Sequence, residues 1–269
     1  MTRGPRRPWI GVRVDLEPPA EPLLTGCIAA WVDRMRRSNV LGRWFFLWYG
    51  EGGVHLRLRL QPARRQDHER LAAALADLDG EPRLWLQPQI YDRTTLAFGE
   101  TRESVLAELL HVATSELAIA LLTSEEERLD AARRWLLTAA AAAVLMRRAI
   151  AEPELDTALS AWMAFAASAA RRYAGIELQT RGGERGHVGV AALQAVMPRV
   201  DAALTTHAAA RRAGALLRRA RARGERGRFV ATHALHLFCN EMGLVFASEY
   251  DIACALRSLW QTDAVRRSS

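Results

Sequence analysis

Lysine is absent from this 269-residue sequence, in which all 37 basic positions are arginine. The formal net charge of +7 and the pI near 10.2 resemble a nucleic-acid footprint. A chain with alanine-rich helices and no lysine is explained more simply by a GC-rich coding background, so no direct nucleic-acid contact is expected. Cysteine is scarce: Cys27, Cys239 and Cys254 are odd in number, far apart and without CxxC spacing. That pattern excludes a disulfide framework and a thiolate zinc site, and it points to a reducing, cytoplasmic setting. Long apolar runs are also missing. The longest, residues 135–146, is alanine-rich and shorter than the roughly 20 residues a bilayer needs, so it reads as a buried helix and no membrane span is expected. Residues 1–8 carry charge with no apolar core behind them, so no export signal is expected. Phosphate loop, dinucleotide fingerprint, GxSxG and HExxH are all absent, which leaves the commonest enzyme classes without support and gives no reason to expect a cofactor or a metal.

What is present is a strand of unusual composition. Residues 54–60 read Val-His-Leu-Arg-Leu-Arg-Leu after a glycine turn, and strict alternation sends Val54, Leu56, Leu58 and Leu60 one way and His55, Arg57 and Arg59 the other. Two arginines and a histidine in register suit a carboxylate or another anion, although solvated edge-strand charges would look the same. The surrounding pattern predicts a strand at 10–16, a helix at 22–35, a hairpin of 44–49 with 54–60, a helix at 66–78 and a strand at 84–91. This βαββαβ order predicts a ferredoxin-like antiparallel sheet with both helices on one face. The opposite face would then gather Arg13, Asp15, His55, Arg57, Arg59, Gln87, Gln89, Tyr91 and Arg93 into a polar floor.

The remaining residues predict helices at 103–122, 125–151, 154–173, 191–221, 229–244 and 249–260, with a polar, glycine-rich break at 175–189. The expected class is α+β: a sheet-containing half, 8–99, packed against a larger helical half, 100–269, as one unit. In the helix after Gly227, His233, His236 and Cys239 fall at spacings of three, and Asn240 lies four from His236. A metal site would need a further ligand; a packed core histidine and a general acid/base whose tautomer Asn240 or a carbonyl sets are the other readings. The arginine run from Arg211 to Arg228 lacks interleaved aromatics and reads as a solvated helix end.

Several segments together resemble one family, the elimination domain of lanthipeptide dehydratases and its stand-alone relatives in thiopeptide biosynthesis. The aromatic strand Trp44-Phe45-Phe46-Leu47-Trp48-Tyr49, the strand His55-Leu56-Arg57-Leu58-Arg59, Tyr91-Asp92-Arg93 with Phe98-Gly99, and His236-Leu237-Phe238-Cys239-Asn240 occur in the family's order. The resemblance implies a precursor peptide with a leader as substrate, and a tRNA-dependent glutamylating dehydratase as a possible partner protein. In one family chemistry, glutamate is β-eliminated from glutamylated Ser or Thr; Arg57, Arg59 and Arg93 would clamp the glutamyl carboxylate and His236 would be the acid/base. In the other, a pyridine synthase joins two dehydroalanines in a formal [4+2] cycloaddition and expels water and the leader. There the floor, with His55, Arg13, Gln87, Gln89 and Asn240, would bind the reacting amide while His236, Tyr91 or an arginine moves protons. Trp48, Glu100 and Glu241 stand where elimination domains have arginine, glycine and arginine. Those departures favour the pyridine synthase, with glutamate elimination as the alternative and a non-catalytic leader-binding module as a second. Both enzyme readings expect His236 to converge on the floor.

Overall fold

In the sheet, the alternation of apolar side chains dictates which face is buried. The computed structural model describes residues 9–50, 54–91, 102–123, 130–174, 185–244 and 246–268. Its contacts cluster into two compact units, Met1–Ala97 and Phe98–Ser269. The first holds a four-stranded antiparallel sheet of β1 (Ile10–Leu16), β2 (Leu41–Tyr49), β3 (His55–Pro62) and β4 (Leu84–Gln89), in the order β2-β3-β1-β4. Strand one thus lies between strands three and four, as the split-βαβ pattern requires. Val12, Val14, Leu56, Leu58, Leu60, Trp44 and Phe46 line the buried face. Two helices belong to this unit, α1 (Ala29–Arg37), continuing a helical run from Ala20, and α2 (His68–Asp79). Trp31 of α1 is buried and donates its indole N–H to the Ala74 carbonyl of α2 at 3.0 Å, tying the helices together.

Two details of the hairpin and edge differ from the expectation. Val54 precedes β3 and is exposed, so it does not join the leucine row. Edge strand β4 has its outward donors closed: Leu84 N–H bonds Glu81 O at 3.1 Å, Leu86 N–H bonds Asp79 Oδ1 at 3.2 Å, and Pro88 has no N–H. Such an edge offers no row of free donors to another strand.

The second unit is helical: α3 (Arg102–Thr123), α4 (Ala131–Ala149), α5 (Glu152–Ala174), α6 (Arg185–Thr206), α7 (Ala208–Arg221), α8 (Gly224–Glu241) and α9 (Phe246–Ser268). Within the alanine-rich run at 135–146, Thr138 to Met146 form the buried core of α4, where small side chains let neighbouring helices approach closely. Among the described residues, α3 is long and apolar enough to cross a membrane, but 67% of its apolar window is buried inside the protein. The sequence pattern missed three boundaries. The expected helix at 191–221 is broken at His207, whose backbone is extended, and the following turn is held by Arg211 bonding the carbonyls of Thr205 and Thr206. Helix α6 begins at Arg185, inside the segment read as a loop. Helix α8 starts earlier than expected, because Gly224 takes a positive φ of 67° and turns the chain, while a side chain at Gly227 would strike the Ala220 carbonyl.

Candidate functional site

On the face opposite the leucine row, register places side chains in three rows across β2, β3, β1 and β4. They are Tyr49, His55, Asp15 and Trp85; Leu47, Arg57, Arg13 and Gln87; and Phe45, Arg59, Gly11 and Gln89. Arg13, Asp15, His55, Arg57, Arg59, Gln87 and Gln89 therefore share one face. Tyr91 follows β4, and its ring joins Trp9 and Phe45 at centroid distances of 5.7 and 6.0 Å. Arg93 lies outside the described residues.

The rows are less cationic than a list of arginines suggests, because aromatic groups cap the charges. Arg57 lies 3.5 Å above the Tyr49 ring and Arg59 lies 5.3 Å from the Tyr91 ring, both cation–π contacts. His55 stacks on Tyr49 and is buried. Arg13 is neutralised by Asp15 at 2.7 Å. Arg59, only 8% exposed, donates to Leu58 O at 3.0 Å and to Gln89 Oε1 at 3.1 Å, the second bond reaching across β1. Gly11 makes that reach possible, since a Cβ there would sit 2.5 Å from Gln89 O and 3.3 Å from the Arg59 guanidinium. Burial, the largest effect, lowers the Arg59 pKa from its usual value; the neighbouring Arg57 lowers it further, and Tyr49 and Tyr91 oppose the shift. Arg57 keeps a buried Nε without a hydrogen-bond partner among the described residues.

In the helical unit, His236 is held by a residue the sequence pattern did not single out. Its Nδ1 lies 3.0 Å from both carboxylate oxygens of Glu249, at the start of α9, and Glu249 is 1% exposed. A carboxylate accepts only, so Nδ1 carries a proton and donates to it. Glu249 is thus the partner at Nδ1, a position for which the helical spacing had offered Asn240 or a carbonyl. The ring is clamped by Phe246, stacked at 5.1 Å, and by Phe165 at 4.9 Å. Thirteen residues and a turn separate Glu249 from His236, so helical spacing alone gave no signal.

Behind His236 runs a polar seam between α3 and α8. Ser104, Glu108, His111 and Ser115, spaced four, three and four, form one buried stripe on α3. Contacts climb both helices together: Glu103 with Arg223, His111 with His233 at 5.8 Å, and Ser115 with Glu241 at 2.6 Å, so the two helices run parallel. Burial pushes His111 well below the usual histidine range, with His233 and His236 adding to the shift, and it pushes His233 down to about 3. Burial also raises Glu241 well above the usual carboxyl range, an effect the Ser115 and Thr114 hydrogen bonds oppose. Cys239 is buried and its thiol pKa is pushed well up, so the stripe His233, His236 and Cys239 offers no ready thiolate. Among the described residues no three His, Cys, Asp or Glu side chains come together as metal ligands.

No curated protein matches the sequence. Among solved structures, the tRNA dependent lantibiotic dehydratase MibB from Microbispora sp. 107891 is similar over 100% of this chain, with 21% identity and a TM-score of 0.61; the chain spans 29% of MibB's length. TsrL is similar over 97% of each chain, with 16% identity and a TM-score of 0.55. The pyridine synthase TbtD from thiomuracin biosynthesis is similar over 96% of this chain and 98% of its own, with 17% identity and a TM-score of 0.57. These likenesses establish the fold. Residues 9–260 match the family described as lantibiotic biosynthesis dehydratase C-term, and the chain belongs to that family.

Proposed function

We propose that the protein is a peptide-maturation enzyme of the pyridine-synthase kind, acting on a leader-bearing precursor peptide that contains two dehydroalanines. The observation that carries this reading is the His236–Glu249 pair, an imidazole whose Nδ1 is held by a buried carboxylate and whose Nε2 is thereby left for the reacting peptide. Such a group takes a proton at Nε2 and returns it, as each stage of the reaction requires. An amide first tautomerises to its iminol, giving an azadiene. Two carbon–carbon bonds then close the six-membered ring. Water and the leader amide leave in turn, each departing with a proton, and the ring becomes aromatic.

The sheet unit supports the same reading through the way its arginines are held. Arg59 is spent on Leu58 O and Gln89, Arg13 on Asp15, and the face presents amides and aromatic rings beside them. That surface suits a neutral, amide-rich peptide. Glutamate elimination is the second reading, favoured by Arg57, which has no carboxylate partner among the described residues and could take a glutamyl carboxylate. A glutamylating dehydratase partner belongs with that second reading, and MibB, a tRNA-dependent dehydratase, lends it support.

Incubation with a leader-bearing peptide carrying two dehydroalanines, followed by mass spectrometry and absorbance, separates the two. Release of the leader amide with a new pyridine chromophore is the expected result. An unchanged peptide, together with glutamate loss from a glutamylated substrate, would replace this proposal with elimination.

A further inference from the structure

The sheet face that carries the arginines is unevenly accessible. His55 is 1% exposed and Arg59 8%, whereas Trp85, in the row of Asp15 and His55, is 53% exposed. Trp31 and Trp44 of the same unit are buried. The approachable strip therefore runs along β1 and β4: the Arg13–Asp15 ion pair, the exposed amide of Gln87, and the indole of Trp85. Within it Arg13 and Asp15 cancel, and Arg57, the neighbour of Arg13 in the same row, lies against the Tyr49 ring, so the exposed groups of the strip are the Gln87 amide and the Trp85 indole. A further strand added to β4 is disfavoured, because Glu81 O and Asp79 occupy the outward N–H groups of Leu84 and Leu86, and Pro88 has none. Whatever lies on this strip is recognised by side chains.

We infer that Trp85 is a specificity-determining residue that stacks on a planar, unsaturated residue of the peptide substrate, while Gln87 and the Arg13–Asp15 pair hydrogen-bond the adjoining peptide groups. The inference rests on the peptide-substrate reading above and names what that substrate must carry. An indole face gains most from a flat sp² group, and the three polar neighbours supply both donors and acceptors for amides. A saturated side chain at the same point gains only ordinary apolar contact.

The test is binding, measured on the full chain by fluorescence anisotropy with a dye-labelled, leader-bearing peptide containing two dehydroalanines. The same peptide with alanines in their place is the comparison. Wild-type protein is expected to prefer the dehydroalanine peptide. Trp85→Ala and Trp85→Leu should each weaken that binding about two- to tenfold, the range of an aromatic stacking contact, while Trp85→Phe retains it and the alanine peptide changes less than about twofold. Because Trp85 is exposed, the melting temperatures should match wild type; should Trp85→Ala melt early, Trp85→Leu keeps the apolar volume without the ring face. Equal losses for both peptides, no loss for either, or a wild type that does not distinguish them would each overturn the inference. Selective binding without pyridine formation would remove the proposed reaction and leave Trp85 in its role.

Discussion

Gly11→Ala tests how the fold positions the arginines, because Gly11 is the gap over which Arg59 reaches Gln89. A Cβ at this position would lie 2.5 Å from the Gln89 carbonyl oxygen, 3.2 Å from Tyr91 N and 3.3 Å from the Arg59 guanidinium. Non-bonded heavy atoms sit comfortably at about 3.5 Å, so β1 and β4 would have to separate by about 1 Å. That opens the ladder at the Gly11–Gln89 pair. Overpacking of this kind costs about 1–3 kcal/mol, and loss of the Arg59–Gln89 bond adds about 1 kcal/mol or more, which together approach 3 kcal/mol. For a chain of this size, that lowers the melting temperature by about 6–12 °C. Two compact units need not melt together, so hydrogen exchange of the β1 and β4 peptides is the sharper assay and should show lost protection in both strands. Gly26→Ala is the control, since nothing lies within 4 Å of its Cβ position. Exchange and melting within about 0.5 kcal/mol of wild type for Gly11→Ala would refute the claim that close approach sets this residue.

Two further expectations concern the helical unit. Glu249→Gln removes the carboxylate that fixes the His236 tautomer; turnover should fall about 10²- to 10⁴-fold with KM little changed, and steady-state kinetics showing an unaltered kcat would exclude the pair from proton transfer. Stability should decline on both sides of an intermediate pH. His111 and His233 are held neutral by burial, so their contribution is present above the unfolded histidine value of about 6.5 and is lost as pH falls toward the lowered folded values, about 3 for His233. Glu241 acts oppositely: its folded pKa is raised, so stability falls as pH rises above the unfolded carboxyl value of about 4.3. Glu241→Gln should therefore be more stable than wild type at neutral pH and converge with it in acid, and denaturant titrations across pH that keep the two curves parallel would show the carboxyl to be ionised.

Strand pairing was legible because a period of two leaves little freedom once one face is apolar. The alternation in the strands around Val12, Leu58 and Leu86 placed Arg13, Arg57 and Gln87 on one face, and the register adds that they form one row. The aromatic caps were hidden for a related reason: Tyr49 and Phe45 occur in a run of aromatics with no polar partner to reveal its phase, so only pairing with β3 shows which rings face the arginines. Helical pairing was less legible. His233 and His236 could be placed on one stripe, but the stripe's neighbours come from α3, α5 and α9, and a periodicity of 3.6 says nothing about which distant helix packs there. Glu249 was invisible for that reason, as was the α3 stripe, whose polar residues disguise a buried face as an exposed one. The break at His207 rests on a single extended residue that propensity does not flag.

Glu241 links that hidden seam to the choice of reaction. By resemblance, an arginine is expected after Asn240, and the chain instead buries a carboxyl with no exposed surface against Ser115. An ionised carboxylate there would carry a large desolvation cost, and burial accordingly raises its pKa, which favours the neutral acid. A cation at this position would need a buried counter-charge that Ser115 and Thr114 cannot supply. The substitution therefore removes a positive charge beside the His236 helix and replaces it with a neutral bond that joins α3 to α8. Elimination of glutamate calls for cations to hold a departing carboxylate and cycloaddition for neutral amide contacts, while both readings use His236 as the acid/base. Within the sheet unit the tally is the same in kind: Arg59 is tied to Gln89 and Arg13 to Asp15, so Arg57 is the arginine on which the elimination reading rests, and Arg57→Ala should abolish glutamate loss if that reading holds.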